Sequence, residues 1–274
     1  MQTKTNQRME NSPSERLVVR SAETTKRLSG TVVFITGGDA GIGKACAMQA
    51  AREDADVVVV ADLANAHHDE TMHELTTLGV KSLFVPIDMA DAASVKAAID
   101  TTVKRFGRLD VALNNAGVGG PCGGIHDMDE VVWRHIIDVN LTGQFYCVKY
   151  ELQQFLKQGG GAIVNMASLA GLKAEHGLAP CTAAKPGLLG LTQNIAVQYA
   201  EHNIRANAIC PYYIDTPLLA QAPPDVRQGW INGTPMKRLG HPDEVAKAFI
   251  YLASDDSSYC NGTELVLDGG VMAG

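Results

Sequence analysis

Thr31-Val32-Val33-Phe34-Ile35-Thr36 followed by Gly37-Gly38-Asp39-Ala40-Gly41-Ile42-Gly43 reads as a buried strand, a glycine-rich turn and the start of a helix. Glycine in such a turn lets the backbone approach a pyrophosphate, and a helix opening at Ile42 points its first amides at the anion. A glycine turn alone is a common feature. Its place directly between a strand and a helix is what makes it a nucleotide signature. Asp62 lies 19 residues beyond Gly43, at the end of the next apolar run. A carboxylate there accepts hydrogen bonds from the adenosine ribose and repels a 2′-phosphate, so Asp62 predicts NAD rather than NADP. The bland reading of Asp62 is a turn residue at a strand end.

Beyond this turn, apolar runs rich in β-branched residues alternate with helical stretches. Strands are expected at 31–36, 56–61, 82–87, 109–114, 162–166, 205–209 and 264–267, and helices at 42–53, 92–106, 141–157, 182–201 and 242–252. Val57-Val58-Val59-Val60 is apolar on both faces, as in a parallel strand covered on each side. The alternation implies right-handed crossovers and an α/β fold: a single-domain, doubly wound Rossmann arrangement of about seven parallel strands with helices on both faces. No low-complexity linker divides the chain, so 28–274 is expected to be one domain. The weakly periodic stretch 217–233, within a region near 212–233, is expected to form a lid over the site.

Composition narrows the class. The chain has 274 residues, 46% hydrophobic and 19% charged, enough to bury a sizeable core. A formal net charge of -7 disfavours non-specific binding to nucleic acid or to anionic membrane, and no apolar run reaches the roughly 18 residues of a membrane span. Residues 1–27 are polar and mixed in charge, without the apolar segment of a secretory signal, and are expected to form a flexible arm. The six cysteines, Cys46, Cys122, Cys147, Cys181, Cys210 and Cys260, show no paired spacing, which suits reduced thiols in the cytoplasm. His67, His68 and His73 fall on an expected surface helix without a ligand cluster, so no metal site is expected.

Several motifs then occur in order: the glycine turn, Asn114-Asn115-Ala116-Gly117, Val139-Asn140-Leu141-Thr142-Gly143, Ser168, and Cys181-Thr182-Ala183-Ala184-Lys185. Together they resemble the short-chain dehydrogenase/reductase family over nearly everything from Leu28 to Gly270. The resemblance implies NAD bound by Gly37, Asp39, Gly41, Ile42, Gly43, Asp62 and Leu63. It further implies contacts from Asp88 and Met89 beside the adenine, from Asn115, Ala116 and Gly117, from Lys185, and from Pro211, Ile214 and Thr216 in a loop closing on the nicotinamide. It implies a small-molecule substrate and a homotetramer, or at least a dimer. Chemistry is implied at Ser168, Lys185 and Asn140, the asparagine holding a water behind the lysine.

At the proton-transfer position the resemblance breaks. The family places tyrosine thirteen residues after the serine and four before the lysine; this chain has Cys181 there. An unperturbed thiol titrates near 8.5 against about 10 for tyrosine, and the Lys185 ammonium is expected to lower it further. Reach argues the other way, because sulfur ends roughly 3–4 Å short of a phenol oxygen while proton transfer needs hydrogen-bond contact. Two more departures follow. Pro186 is expected to distort the helix carrying Lys185 and to turn that side chain aside. Tyr212 stands where the family has glycine, either packing against the lid or supplying a phenol from a new direction. Glu175 and His176 are the remaining acids nearby. The reading is an NAD(H)-dependent oxidoreductase of a secondary alcohol/ketone or C=N substrate of moderate, fairly apolar size. The alternatives are a non-redox enzyme, or a weakened or engineered cofactor-binding paralogue.

Overall fold

The computed structural model describes residues 26–64 and 68–274; His67 and the expected arm as far as residue 25 lie outside them. The arm's last two residues are tied down, Lys26 pairing with Asp54 at 2.8 Å and Arg27 with Glu53.

Seven strands form one parallel sheet: β1 (Val32–Thr36), β2 (Val57–Asp62), β3 (Lys81–Pro86), β4 (Val111–Asn114), β5 (Gly161–Met166), β6 (Ile204–Pro211) and β7 (Glu264–Leu267). Their order is β3-β2-β1-β4-β5-β6-β7. The order reverses between β1 and β4, which opens a crevice at the carboxyl ends of these strands. Residues of β1 and β2 alternate between two cores, as a pleated strand buried on both faces requires. Val33, Ile35, Val58 and Val60 meet α1 (Gly41–Arg52) and α9 (Pro242–Ala253) on one face, with Leu75 of α2 (His68–Thr77). Phe34, Val57 and Val59 meet α3 (Ala92–Phe106), α5 (Gly143–Gln158) and α6 (Ala179–Tyr199) on the other. A short α4 (Glu130–Ile137) leads through a π turn at Asp138–Thr142 into α5.

Most expected boundaries shift by one or two residues, and the larger corrections have physical causes. The helix expected from 182 begins at Ala179, because Pro180 falls in the first turn, where a missing amide costs nothing. Pro186 was expected to distort that helix, yet α6 runs unbroken to Tyr199. The proline ring is accommodated and only the carbonyl one turn back loses its donor. The weakly periodic stretch 217–233 holds two helices, α7 (Pro217–Ala220) and α8 (Pro224–Gly233), each opened by a proline and neither burying a residue fully. Among the described residues, no helix is long and apolar enough to cross a membrane.

Candidate active site

The crevice above β1, β4 and β5 is assembled by backbone proximity and a few side-chain clamps. Gly37 has φ +64, and a Cβ on it would lie 2.9 Å from Ala116 Cα. A Cβ on Gly43 would fall 1.9 Å from the Gly37 carbonyl oxygen, so the turn folds directly onto the first turn of α1. Asn115 locks it, donating from Nδ2 to the Thr36 and Gly37 carbonyls at 3.0 Å each. Thr36 Oγ1 accepts from the Asn115 and Ala116 amides at 3.0 Å. Thr216, from the loop after β6, sits 3.3 Å from where a Gly41 Cβ would stand. Pro211 and Ile214 are buried beside that loop, and Ile214 bridges to Gly240.

These residues fit a dinucleotide. No side chain caps α1 and its first turn holds no acid, so its leading amides stay available to an anion. Asp39 is 6% exposed and its Oδ1 has no hydrogen-bond partner, an arrangement that suits a hydroxyl donor from a ligand. Asp62 stands next to it: Oδ2 accepts from the Asp39 amide at 3.2 Å and Oδ1 from the Leu63 amide at 2.8 Å. Burial raises the Asp62 carboxyl above its ordinary value, against those two amides. Leu63 is exposed. Asp88 is exposed and accepts from the Ala90 amide at 2.9 Å. The Met89 side chain turns into the core, with Cys147 Sγ 3.9 Å from its sulfur.

On the other side of the crevice, Asn140 projects from the π turn and clamps Val118, accepting from its amide and donating to its carbonyl, both at 2.8 Å. A Cβ on Gly117 would lie 3.1 Å from Asn140 Oδ1. Asn140 Nδ2 is 4.0 Å from Cys181 Sγ, a long contact. Ser168 caps the turn after β5, its Oγ accepting from the Ala170 amide at 3.1 Å. Lys185, one helical turn beyond Cys181, is buried and donates from Nζ to the Met166 carbonyl at 2.7 Å.

The electrostatics correct one expectation. The Cys181 thiol is raised, not lowered: burial outweighs the neighbouring Lys185. Burial instead lowers Lys185 itself to about 8, and raises Cys210 to about 11. Tyr212 packs on Tyr213 at 4.4 Å, and Tyr213 stacks on Trp230 of α8 at 4.3 Å and 17°. The aromatic ring that stacks on α8 is therefore that of Tyr213, next in sequence to Tyr212. Burial raises both phenols, with Glu175 adding to it. Glu175 is itself raised by burial, while His176 is exposed. The Met166 carbonyl carried no side-chain signal. Among the described residues, no group of three or more His, Cys, Asp or Glu is placed to hold a metal ion.

Comparison with known proteins places this geometry. Residues 37–272 match a family described as enoyl-(acyl carrier protein) reductase. The chain is 40% identical over 242 residues to cis-4-hydroxycyclohexanecarboxylate dehydrogenase of Sinomonas cyclohexanicum, covering 88% of this chain and 96% of that one. It is 38% identical over 245 residues to cyclohexanol dehydrogenase of Acinetobacter sp. strain SE19, covering 89% and 96%. The crystal structure of levodione reductase superposes with a TM-score of 0.87 at 33% identity, covering 90% of this chain and 99% of that one.

Proposed function

Because this chain belongs to the short-chain dehydrogenase/reductase family, we propose that it is an NAD(H)-dependent oxidoreductase acting on a moderately apolar, alicyclic secondary alcohol or the matching ketone. A nicotinamide nucleotide and a small-molecule substrate are the classes its relatives imply; NAD and the ring-shaped substrate are the finer reading. The observation that carries it is the pairing of Asp39 and Asp62 beside an uncapped helix start, which suits ribose hydroxyls and opposes a third anion.

Gly37, Gly41, Ile42 and Gly43 would take the pyrophosphate, Asp39, Asp62, Leu63, Asp88 and Met89 the adenosine end, and Asn115, Ala116, Gly117, Lys185, Pro211, Ile214 and Thr216 the rest. When bound, the nicotinamide ring accepts or returns a hydride. The protein's own work is to hold the substrate oxygen and move its proton. The Ser168 hydroxyl accepts from Ala170 and keeps its own proton free to hold that oxygen. Asn140 fixes the wall at Val118, and the Tyr213–Trp230 stack offers a flat apolar wall to a ring. Cys181 occupies the position the family gives to tyrosine, and its burial keeps the thiol neutral. That last feature also favours a second reading, a weakened paralogue that binds nucleotide and turns over little. On this reading the helices over 217–233 form the lid and the assembly is a homotetramer, and the unpaired cysteines suit the cytoplasm.

The test is nucleotide titration by protein fluorescence, followed by assay of cyclohexanol, cyclohexanone and cyclic imines by nicotinamide absorbance. The reading expects tighter NAD(H) than NADP(H) and measurable turnover of a ring alcohol. Equal or tighter NADP(H) binding removes the cofactor assignment, and tight NAD(H) binding without turnover of any substrate leaves only the paralogue.

A further inference from the structure

We infer that Lys185 is itself the group that exchanges a proton with the substrate oxygen, acting past the short side chain of Cys181; this rests on the dehydrogenase reading above. Residues 181 and 185 lie four apart on α6 and so share one face. Side chains on a helix lean toward its N-terminus, which runs the Lys185 stem toward the turn that carries Cys181. A tyrosine at 181 would stand between the ammonium and the pocket. Cysteine ends one bond beyond Cβ, roughly 3–4 Å short of where a phenol oxygen would lie.

Lys185 is equipped for the role by its own surroundings. Its Nζ gives one hydrogen bond to the Met166 carbonyl at 2.7 Å, and an ammonium has three to give. Among the described residues, no carboxylate lies within ion-pair distance of it. The titratable groups that act on it are Cys181 on its own helix and Cys210 on β6. Burial keeps both thiols neutral, so neither supplies a counter-charge. A buried ammonium without a counter-ion releases its proton more readily, and Lys185 accordingly sits at about 8, close to where a general acid–base works best. The thiol of Cys181 is shifted the opposite way, and its contact with Asn140 is long.

The step balances without a further reagent. As hydride from the reduced nucleotide reaches the carbonyl carbon, the C=O π pair moves onto oxygen. An N–H bond of the Lys185 ammonium breaks as the new O–H bond forms, and the neutral amine then regains a proton from water. In the oxidising direction, the neutral amine takes the hydroxyl proton as hydride leaves the carbon.

The test uses the full chain, with NADH and cyclohexanone as probes. In the nucleotide-free protein, lysine-selective ¹⁵N NMR is expected to show one ammonium titrating near 8 that is missing from Lys185→Arg. That variant keeps a cation for the nucleotide, and at saturating NADH it is expected to lose roughly 10²–10⁴ in turnover, the worth of a general acid. In the Cys181→Tyr background the same change should cost less than about tenfold, because a guanidinium still supplies the cation beside a phenol. If Lys185→Arg does not fold, Lys185→Gln takes its place. A lysine titrating near the ordinary value of about 10.4, or a folded variant keeping most of its turnover, overturns the role of Lys185 and leaves the dehydrogenase reading standing. Absence of turnover in the unaltered protein removes both.

Discussion

Asp62 and Cys181 show what single residues disclose. The carboxylate at the end of β2 is legible because strand, turn and helix around it set its direction, and the structure adds the Asp39 amide that holds it in place. Asp62→Ala is expected to narrow the difference between NAD(H) and NADP(H) dissociation constants, read by fluorescence titration, mainly by tightening NADP(H). A ratio unchanged from the unaltered protein would assign selectivity to another residue. Cys181 was equally visible, but its acidity was read with the wrong sign. A neighbouring ammonium is evident from i, i+4 spacing, whereas the surroundings of Cys181 include the π turn bearing Asn140 and the loop after β4, which no local pattern reports. For the same reason the pairing of Lys185 with the Met166 carbonyl and the stack of Tyr213 on Trp230 emerged only from the folded chain.

Elements fared according to how much of their periodicity reflects burial. The strands and α3 were read closely because one or both faces are apolar. Helices α7 and α8 escaped because they bury little, so burial imposes no apolar stripe on their sequences. The join of α5 to the sheet hides a device that no motif announced. Glu151 of α5 is fully buried, accepting from Asn114 Nδ2 at 3.0 Å. Asn114 Nδ2 also reaches Asn165 Oδ1 at 3.1 Å, and Asn165 Nδ2 donates to Thr192 of α6 at 2.8 Å. Burial pushes the Glu151 carboxyl from 4.5 up to about 8. Between those values the folded chain keeps a proton that the unfolded chain releases, so stability is lost as pH rises through that window. Thermal melts across it should show the unaltered protein weakening toward alkaline pH, while Glu151→Gln, neutral throughout, should lack this component. Parallel pH profiles for the two proteins would show that Glu151 does not carry it.

At the scale of the whole molecule, the doubly wound sheet accounts for a crevice at the β1/β4 reversal and leaves apolar side chains outside it. Val197 of α6 is 84% exposed, and Phe145 and Leu156 of α5 are also exposed. Exposed apolar side chains on two helices that cover the same face of the sheet suit a symmetric partner of the same chain. Light scattering at micromolar concentration should report a tetramer, reduced to smaller species by Val197→Asp; a monomeric unaltered protein would contradict the assembly. Catalysis by the whole molecule turns on one position. With Ser168 and Lys185 in place, a phenol at 181 would stand between the lysine and the substrate oxygen. Steady-state turnover of cyclohexanol with NAD by Cys181→Tyr, alone and with Pro186→Ala, is the measurement that decides it. A change well below the roughly 10²–10⁴ worth of a general acid is expected, because the phenol replaces one proton donor by another; a gain of that order over the unaltered protein would contradict proton transfer by Lys185.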